Sequence, residues 1–463
     1  MSKTAWLLAA ALLAAPAMGM WAPAPLVDVD RLARNVGDRA KENPKDPQAH
    51  YILGRVHSLA FSMRTKKLAA YSPRKGLPTL DSPGCMYPNR RHARDKNRAV
   101  PTVKELQKHL EQGLAEHRKA IALSPKNGLY HLGLAWLLEA GADMAAEVGA
   151  PPGGKDPAYK PKPGLQERVN HLIVQLGQAD HAARKKAMSE LAALASYPPV
   201  FARLKANSDH KDLEIKTRVR ALMRTCWLAR AIDSYTTAYH LSIAKDLKVR
   251  NRPLAGLKTL VGYDAGQRLT RLIGETGLAD KNKSLLADIE KNLATLRNKP
   301  RGPVTPIIFS LDRPRPLSEL VSDRRVTFDL DGDLRSETRR WVRPQTCILA
   351  WDPLGKGRIE NGRQLFGSVT WWMFFDNGYH ALDALDDNRD GTLRGAELKH
   401  IVVWRDRNGN GRSDPGEVVP LERLGISAIA TKATGLSGKA PCNRKGLIMK
   451  DGRALPTYDW ISE

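Results

Sequence analysis

The chain has 463 residues, of which 42% are apolar and 27% charged, which is typical of a globular protein with two or three domains and excludes a disordered or collagen-like chain. Lys and Arg number 74 against 49 Asp and Glu, and the formal net charge of +25 predicts a surface that attracts anionic partners. Four cysteines exclude a scaffold built on disulfides.

The amino terminus has the features of an export signal. Lys3 precedes an apolar run over residues 5–15, and Ala17 and Gly19 supply the small residues of a cleavage site. The run has about 11 residues, whereas a helix needs about 20 to span a bilayer. We therefore predict a signal peptide over residues 1–19 and an exported protein (periplasmic, cell-surface or secreted) with no transmembrane segment in the mature chain. An uncleaved anchor or a buried helix is the alternative.

Export also makes disulfides permissible. Cys347 and Cys442 lie in one C-terminal segment and are candidates for a pair, whereas Cys85 and Cys226 are far apart in the sequence. Ordinary buried thiols are the alternative.

Residues 20–150 have the periodicity of successive helices. Asn43-Pro44 followed by Leu53-Gly54 resembles the join between tetratricopeptide (TPR) helices, and the same step recurs from Pro125 to Leu134-Ala135. The two prolines are 81 residues apart, which is not a multiple of the repeat length of about 34, so we expect an insertion between the units. A helical hairpin without repeat homology is the alternative.

The expected insertion spans residues 64–100 and is strongly basic. It contains ten Lys or Arg against two Asp, which makes it a candidate contact for an anionic polymer or cell surface. A flexible, solvated loop is the alternative explanation of this charge.

Residues 151–163 have the composition of a linker, and residues 164–300 return to helical periodicity. An apolar stretch at 171–177 followed by a helix at 182–194 and a break at Tyr197-Pro198-Pro199 resembles a HEAT-type repeat. Further helices are predicted at 213–223, 226–245 and 281–296. The exposed faces of such an array are typical binding surfaces for a protein partner.

The sequence changes near residue 300 to short strand-like runs separated by Gly, Asp and Asn clusters, and we predict strands at 305–311, 326–330 and 348–351. Residues 324–463 hold 22 Lys or Arg against 19 Asp or Glu, so the basic excess belongs to the helical part. Residues 371–375 are densely apolar and are expected to form a buried strand or helix.

Two segments near the carboxyl end fit the spacing D-x-[DN]-x-[DN]-G-x5-E of a calcium loop. They are residues 386–397 (loop 1) and 406–417 (loop 2). Calcium prefers six to eight oxygen ligands, which side chains at positions 1, 3 and 5, a backbone carbonyl at position 7 and a glutamate at position 12 supply. The predicted Ca²⁺ ligands are Asp386, Asn388, Asp390, Thr392, Glu397, Asp406, Asn408, Asn410, Arg412, Asp414 and Glu417. A pair of Asx turns with glycine corners is the alternative.

The spacing between the loops limits their architecture. Residues 398–405 are too few for one exiting helix and one entering helix, so a single segment, with 401–404 as helix or strand, must serve both loops. We therefore expect a structural unit stabilised by calcium rather than an opening pair of calcium sensors.

Two weaker acidic segments precede the loops. Asp329-Leu330-Asp331-Gly332-Asp333 begins correctly, but Leu334 stands where glycine is needed and Arg340 where the glutamate would be, which leaves a possible weak site. The turn at Asp352 lacks ligands at positions 3 and 5 and is expected not to bind.

Several motifs follow one another in an order that resembles the EF-hand-like segments of exported bacterial haemolysin-type and adhesin proteins. They are residues 328–333, 361–367, 381–391, 403–411 and 424–426. The resemblance covers about residues 326–430 and implies extracellular calcium binding through the two complete loops.

Specific catalytic motifs are missing, among them H-E-x-x-H, G-x-S-x-G and the P-loop. The predicted fold is a mainly α helical-repeat array (TPR-like and HEAT-like) followed by a small α+β EF-hand-like domain over residues 301–463. The predicted function is that of an exported, non-enzymatic calcium-binding protein with a helical scaffold for a protein partner. Binding of an anionic polymer or surface through the basic helical region and a calcium-dependent hydrolase are the alternatives.

Overall fold

The described residues before 300 are mainly helical, and those after 303 form antiparallel strands connected by loops and short helices. The structure, a computed structural model, describes residues 26–69, 100–151, 164–195, 197–249, 259–297, 299, 303–333 and 335–462. The predicted signal peptide, the central part of the basic insertion, the linker beyond residue 151 and Cys85 lie outside the described residues.

The described helices before residue 300 are α1 (Val29–Glu42), α2 (Pro47–Met63), α3 (Val103–Leu123), α4 (Gly128–Ala142), α5 (Ala145–Val148), α6 (Leu165–Gln175), α7 (His181–Leu194), α8 (Pro198–Ala206), α9 (Leu213–Asp246), α10 (Val261–Glu275) and α11 (Lys283–Leu296). The prediction of a helical amino-terminal region is confirmed. The helices predicted at 213–223 and 226–245 form one helix, α9, because no glycine or proline separates them.

Local polar side chains set the helix boundaries. Thr102 Oγ1 accepts the Glu105 N–H at 3.2 Å and Glu105 Oε2 accepts the Thr102 N–H at 2.7 Å, which is a capping box at the start of α3. The carboxylates of Asp28 and Asp46 accept backbone N–H groups in the first turns of α1 and α2. These local hydrogen bonds fix where α1, α2 and α3 begin.

The helices pack most extensively as the pairs α2–α3 and α4–α9. Gly141 of α4 faces Trp227 of α9, and any side chain at this position would overlap the buried indole ring. Glycine therefore permits the close approach of these two helices.

The strands in the described residues are β1 (Leu26–Asp28), β2 (Lys67–Ala69), β3 (Ile307–Phe309), β4 (Val321–Phe328), β5 (Glu337–Val342), β6 (Cys347–Trp351), β7 (Thr392–Arg394), β8 (Ile401–Trp404), β9 (Val418–Pro420), β10 (Ile426–Ala430), β11 (Gly435–Ser437), β12 (Ala440–Met449) and β13 (Ala454–Asp459). A short helix, α12 (Gly378–Asp383), lies among them.

Nine of these strands form one antiparallel sheet in the order β7-β10-β12-β13-β3-β6-β8-β9, with β11 paired to β12. Strands β4 and β5 form a separate hairpin, and β1 pairs with β2. Strands β3, β4 and β6 overlap the three strands predicted from the sequence. Residues 401–404 form β8, so the strand alternative for the segment between the loops is confirmed.

The aromatic segment 371–375 joins the sheet to the helices. All five side chains are at most 3% exposed, and Trp371, Trp372 and Phe374 adopt left-handed backbone angles in and beside a 3-10 turn rather than a regular strand or α-helix. Arg55 of α2 donates to the Trp372 carbonyl at 3.0 Å and stacks on Trp136, and Gln48 donates to the Phe374 carbonyl at 2.8 Å. Contacts with α2 thus hold a backbone conformation that is costly for bulky residues.

Cys226, Cys347 and Cys442 are free thiols in the described residues, so the alternative of ordinary thiols holds for the Cys347 and Cys442 pair. Burial raises the pKa of the Cys347 thiol to about 12, which makes it unreactive at neutral pH. None of the described helices is both long and apolar enough to cross a membrane.

Asp459, at the end of β13, links folding stability to pH. Its Oδ1 accepts the Gly378 N–H at 2.7 Å, and burial raises the pKa of this carboxyl to about 8 from its ordinary 3.8. The folded chain therefore keeps a proton that the unfolded chain loses above about pH 4, so stability from this group falls as pH rises toward 8.

We expect Asp459→Asn to remove this pH dependence, because the amide oxygen still accepts the Gly378 N–H and stays neutral. Between pH 5 and 8 the stability of the native chain should fall relative to the variant by up to about 1.4 kcal/mol per pH unit. Thermal melting of both proteins at several pH values in this range measures the difference in stability. The same pH dependence in both proteins would contradict the raised pKa of Asp459.

Candidate metal centre

Loop 1 lies between α12 and β8, and its residues 392–394 form β7. Asp386 Oδ2 accepts the Gly391 N–H at 2.9 Å, and Asn388 and Asp390 each accept the N–H two residues further along the chain. Gly391 has a φ of +84°, which allows the turn at position 6. Asp386 is 1% exposed, and its Oδ1 accepts no hydrogen bond from the described residues.

Loop 2 connects β8 to β9 and repeats this hydrogen-bond pattern. Asp406 Oδ2 accepts the Gly411 N–H at 2.8 Å, and Asn408 and Asn410 accept the N–H groups two residues further on. Asp406 also accepts a hydrogen bond from the Trp341 indole at 2.6 Å. Loop 2 is therefore anchored on the aromatic core beneath the β4–β5 hairpin.

A glutamate at position 12 closes each loop. Glu397 accepts the backbone N–H of Asp387 at 2.8 Å and of Arg394 at 2.9 Å, one with each carboxylate oxygen. Glu417 accepts the N–H of Arg407 at 2.8 Å and of Asp414 at 3.1 Å in the same way. Hydrogen bonds to a charged group are worth about 1.5–3 kcal/mol each, so these two side chains fix the loop backbones.

The remaining predicted ligands lie at positions 3, 5, 7 and 9 of the two loops. Asn388, Asp390, Asn408 and Asn410 are exposed at positions 3 and 5, and Thr392 and Arg412 occupy position 7. Asp414, at position 9, accepts the amides of Asn408 and Asn410 at 2.7 and 2.8 Å, and these donors lower the pKa of its carboxyl. Burial raises the pKa of Asp386.

The loops are not joined to each other as a pair of helix–loop–helix units. Leu393 at position 8 of loop 1 pairs with Ile429 of β10, whereas Ser413 at position 8 of loop 2 hydrogen-bonds both backbone groups of Ile359. Strand β8 lies between the loops, and loop 2 has a strand on each side. Each loop is thus held by different parts of the sheet domain.

A third acidic loop lies at the tip of the β4–β5 hairpin. Asp329, Asp331 and Asp333 are 5–7% exposed and bring carboxylate oxygens within 4.8 Å of one another. Among the described residues no other group of three acidic, histidine or cysteine side chains comes this close, including the carboxylates of loops 1 and 2.

Glu337 closes this third loop, and the sequence analysis missed it. The hairpin register places Glu337 opposite Phe328, so its Oε1 accepts the N–H groups of Leu330 and Asp331 at 3.2 and 3.3 Å. The EF-hand spacing requires the glutamate at residue 340, where Arg340 stands. Burial, followed by repulsion from Asp331, raises the pKa of Glu337 to about 9. The short hairpin between two strand-like runs was the signal that would have found it.

Comparison with known proteins concerns this part of the chain. The sequence model of the SPM domain family matches residues 308–453. This span contains all three acidic loops. It is less than half of the chain. A stretch of 94 residues is 37% identical to the iron-regulated protein FrpA of Neisseria meningitidis serogroup C, over 19% of this chain and 8% of FrpA. The chain thus matches only a small part of that relative.

The donor atoms of the loops suit a hard divalent cation. Every predicted ligand offers oxygen, which calcium and magnesium prefer to nitrogen or sulfur. In loop 1 the buried Asp386 Oδ1 has no hydrogen-bond donor among the described residues, and a cation would satisfy it. Loops 1 and 2 each offer three carboxylates together with neutral amide and carbonyl oxygens.

The two position-6 glycines differ in their surroundings, which allows a matched test of loop packing. A Cβ at Gly411 would lie 3.0 Å from Val326 of β4, whereas one at Gly391 would meet only the flexible Lys432 side chain at 3.9 Å. Both have positive φ, so alanine at either position costs about 1–2 kcal/mol.

We expect Gly411→Ala to destabilise the chain by at least about 1 kcal/mol more than Gly391→Ala, because Val326 must also move. Denaturant unfolding in the presence of a chelator measures the free energy of unfolding of both variants without a contribution from bound cations. Equal losses in the two variants would show that loop 2 does not pack on β4 as described.

Proposed function

We propose that this chain is an exported, non-enzymatic calcium-binding protein. Loops 1 and 2 hold Ca²⁺ and thereby stabilise an EF-hand-like C-terminal domain, which is attached to a TPR-like and HEAT-like helical scaffold for a protein partner. The cation is held by side-chain oxygens at positions 1, 3, 5 and 12 of each loop and by the backbone carbonyls of Thr392 and Arg412 at position 7. Asp414 adds a ligand at position 9 of loop 2.

The observation that carries this proposal is the hydrogen-bond framework common to both loops. Position 1 accepts the glycine N–H of position 6, positions 3 and 5 accept the N–H two residues on, and position 12 accepts the N–H of position 2. This framework curves the backbone of each loop between positions 1 and 12, and we expect the oxygens of positions 3 and 5 to complete the ligand shell when calcium binds. Asx turns alone would not need a glutamate at position 12 in both loops.

The charge of the loops supports a structural role. Neutral amides take one ligand position in loop 1 and two in loop 2, and fewer carboxylates lower the affinity of a calcium loop. We therefore expect dissociation constants of about 0.1–1 mM, the range of extracellular calcium modules. Such sites are filled outside the cell, in agreement with the proposed export, and would be empty at cytosolic calcium levels.

The helical region supports the scaffold part of the proposal. Stacked helices leave extended faces, and the basic excess of the chain lies before residue 324, where 52 Lys or Arg oppose 30 Asp or Glu. A partner with acidic groups on its surface would suit this charge.

The double variant Asp390→Asn with Asp414→Asn tests the ligand assignment. Each loop loses one carboxylate, while the new amide oxygen can still accept the hydrogen bonds that support the fold. We expect calcium affinity, measured by calorimetry on the full chain, to fall at least about tenfold, or about 1.4 kcal/mol. Thermal melting should show the same loss of calcium-dependent stabilisation.

Glu422→Gln is the matched control, because Glu422 is exposed and lies outside both loops. It should bind calcium as the native chain does. Native affinity in the double variant, or no binding to the native chain at 10 mM calcium, roughly ten times the weakest expected dissociation constant, would refute the proposal.

A further inference from the structure

Helix α1 contacts loop 1 through the positions that do not bind a cation. Asp387 and Arg389, at positions 2 and 4 of the loop, both contact α1. Asp387 Oδ1 accepts hydrogen bonds from Arg31 Nε at 2.9 Å, Asn35 Nδ2 at 2.9 Å and Arg34 Nη2 at 3.3 Å. Three donors from one helix therefore converge on one carboxylate oxygen.

The same helix also holds the backbone that leads into the loop. Arg31 donates to the Leu385 carbonyl at 2.7 Å, and the buried Asn35 amide donates to the Ala384 carbonyl at 3.1 Å. These carbonyls directly precede Asp386, the first predicted ligand. The position of Asp386 is thus tied to α1.

Arg389 makes a second bridge at the far end of α1. Its guanidinium pairs with Glu42 at 2.8 Å and with the buried Asp383 of α12 at 3.0 Å. Arg389 has a φ of +62°, an unusual conformation for an arginine, and the two ion pairs hold it there. Arg31, Asn35 and Glu42 lie on one face of α1, so this face as a whole is complementary to loop 1.

Loop 2 has no such contact. Arg407, at its position 2, donates to the Gly416 carbonyl within the loop, and position 4 is Gly409. Among the described residues, no side chain of α1–α11 forms a hydrogen bond or salt bridge with residues 406–417. Loop 1 therefore contacts α1 and loop 2 does not, so calcium binding by the two loops can be compared in one molecule.

We propose that α1 is a positioning element for loop 1, so that cation binding at this loop and docking of the helical region on the sheet domain are coupled. This inference rests on the proposed calcium binding. Docked α1 preorganises the loop and raises its affinity, and by thermodynamic reciprocity the bound cation stabilises docking. Loop 2 binds independently of the helices. Docking of the amino-terminal helices on the sheet domain thus regulates calcium binding at loop 1.

The arginines of α1 have two opposite effects on the calcium affinity of loop 1, one through charge and one through positioning. The variant must separate these effects. Arg31 and Arg34 repel a cation, so their removal would raise affinity through charge while lowering it through lost positioning. Asn35→Ala changes no charge and removes the donor to both Asp387 and Ala384. Asn43→Ala is the matched control, because it makes the same substitution just after α1, at an exposed residue whose amide donates to the Arg39 carbonyl and not to loop 1.

The experiment is a calcium titration of the full chain labelled with ¹⁵N-glycine. The amides of Gly391 and Gly411 each donate to the position-1 aspartate of their own loop, so they report the two loops separately in one sample. We expect Asn35→Ala to raise the dissociation constant read at Gly391 about tenfold and to leave that at Gly411 within about twofold. Asn43→Ala should leave both dissociation constants within about twofold of the native values. An unchanged Gly391 titration in Asn35→Ala would overturn the inference while leaving the calcium proposal intact.

A measurement on the native chain needs no variant. Saturating calcium should slow hydrogen exchange of the α1 amides severalfold, and the Gly411 resonance confirms that loop 2 is filled. Exchange in α1 that calcium leaves unchanged would also overturn the inference. If neither glycine responds to calcium in the native chain, the proposed function itself fails and this inference fails with it.

Discussion

A glutamate carboxylate that accepts backbone N–H groups from the start of its own loop fixes the geometry of loop 1, loop 2 and the third acidic loop. Glu397 and Glu417 do so from position 12, and Glu337 does so from position 9 across a hairpin. The glutamate holds the backbone at position 2 of each loop, and in the third loop the three aspartate carboxylates come within 4.8 Å of one another. Without this interaction the aspartates and asparagines would form isolated turns with no common centre.

The sheet and the helices supply the support for these loops. Loop 2 and the hairpin rest on an aromatic core that includes Trp341 and Trp404, and the Trp341 indole reaches Asp406 directly. Loop 1 rests on α1. The buried segment 371–375 fills the contact between sheet and helices, and Arg55 crosses that contact to the Trp372 carbonyl. The loops are therefore attached to two different cores, which gives one of them a connection to the scaffold that the other lacks.

Local signals in the sequence predicted the parts of the structure that depend on local interactions. Helical periodicity and proline breaks such as Pro198-Pro199 located the helices, and glycine and glutamate spacing located loops 1 and 2. The length of the segment between the loops predicted that it forms a single strand or a single helix. These features depend on residues fewer than about 20 positions apart, which a single sequence displays directly.

Other features depend on pairs that are far apart in the chain, and no local pattern encodes them. Asn35 and Asp387 are separated by 352 positions, so no spacing in the sequence relates them. Glu337 lies near its partners in the sequence, but the hairpin register and not the EF-hand spacing places it. The left-handed angles of Trp371 and Trp372 contradict the strand or helix that their apolar character favours, and only the contacts from α2 explain them. Sequence reasoning therefore found the candidate ligands but not what holds them.

Anomalous diffraction from crystals of the full chain grown in millimolar calcium, with terbium exchanged in a second crystal, tests the central claim most directly. The account predicts anomalous density inside both complete loops, with the carboxylate oxygens of Asp386 and Asp406 about 2.3–2.6 Å from the calcium. Loops that keep their folded backbone under these conditions but show no density at either centre would contradict it.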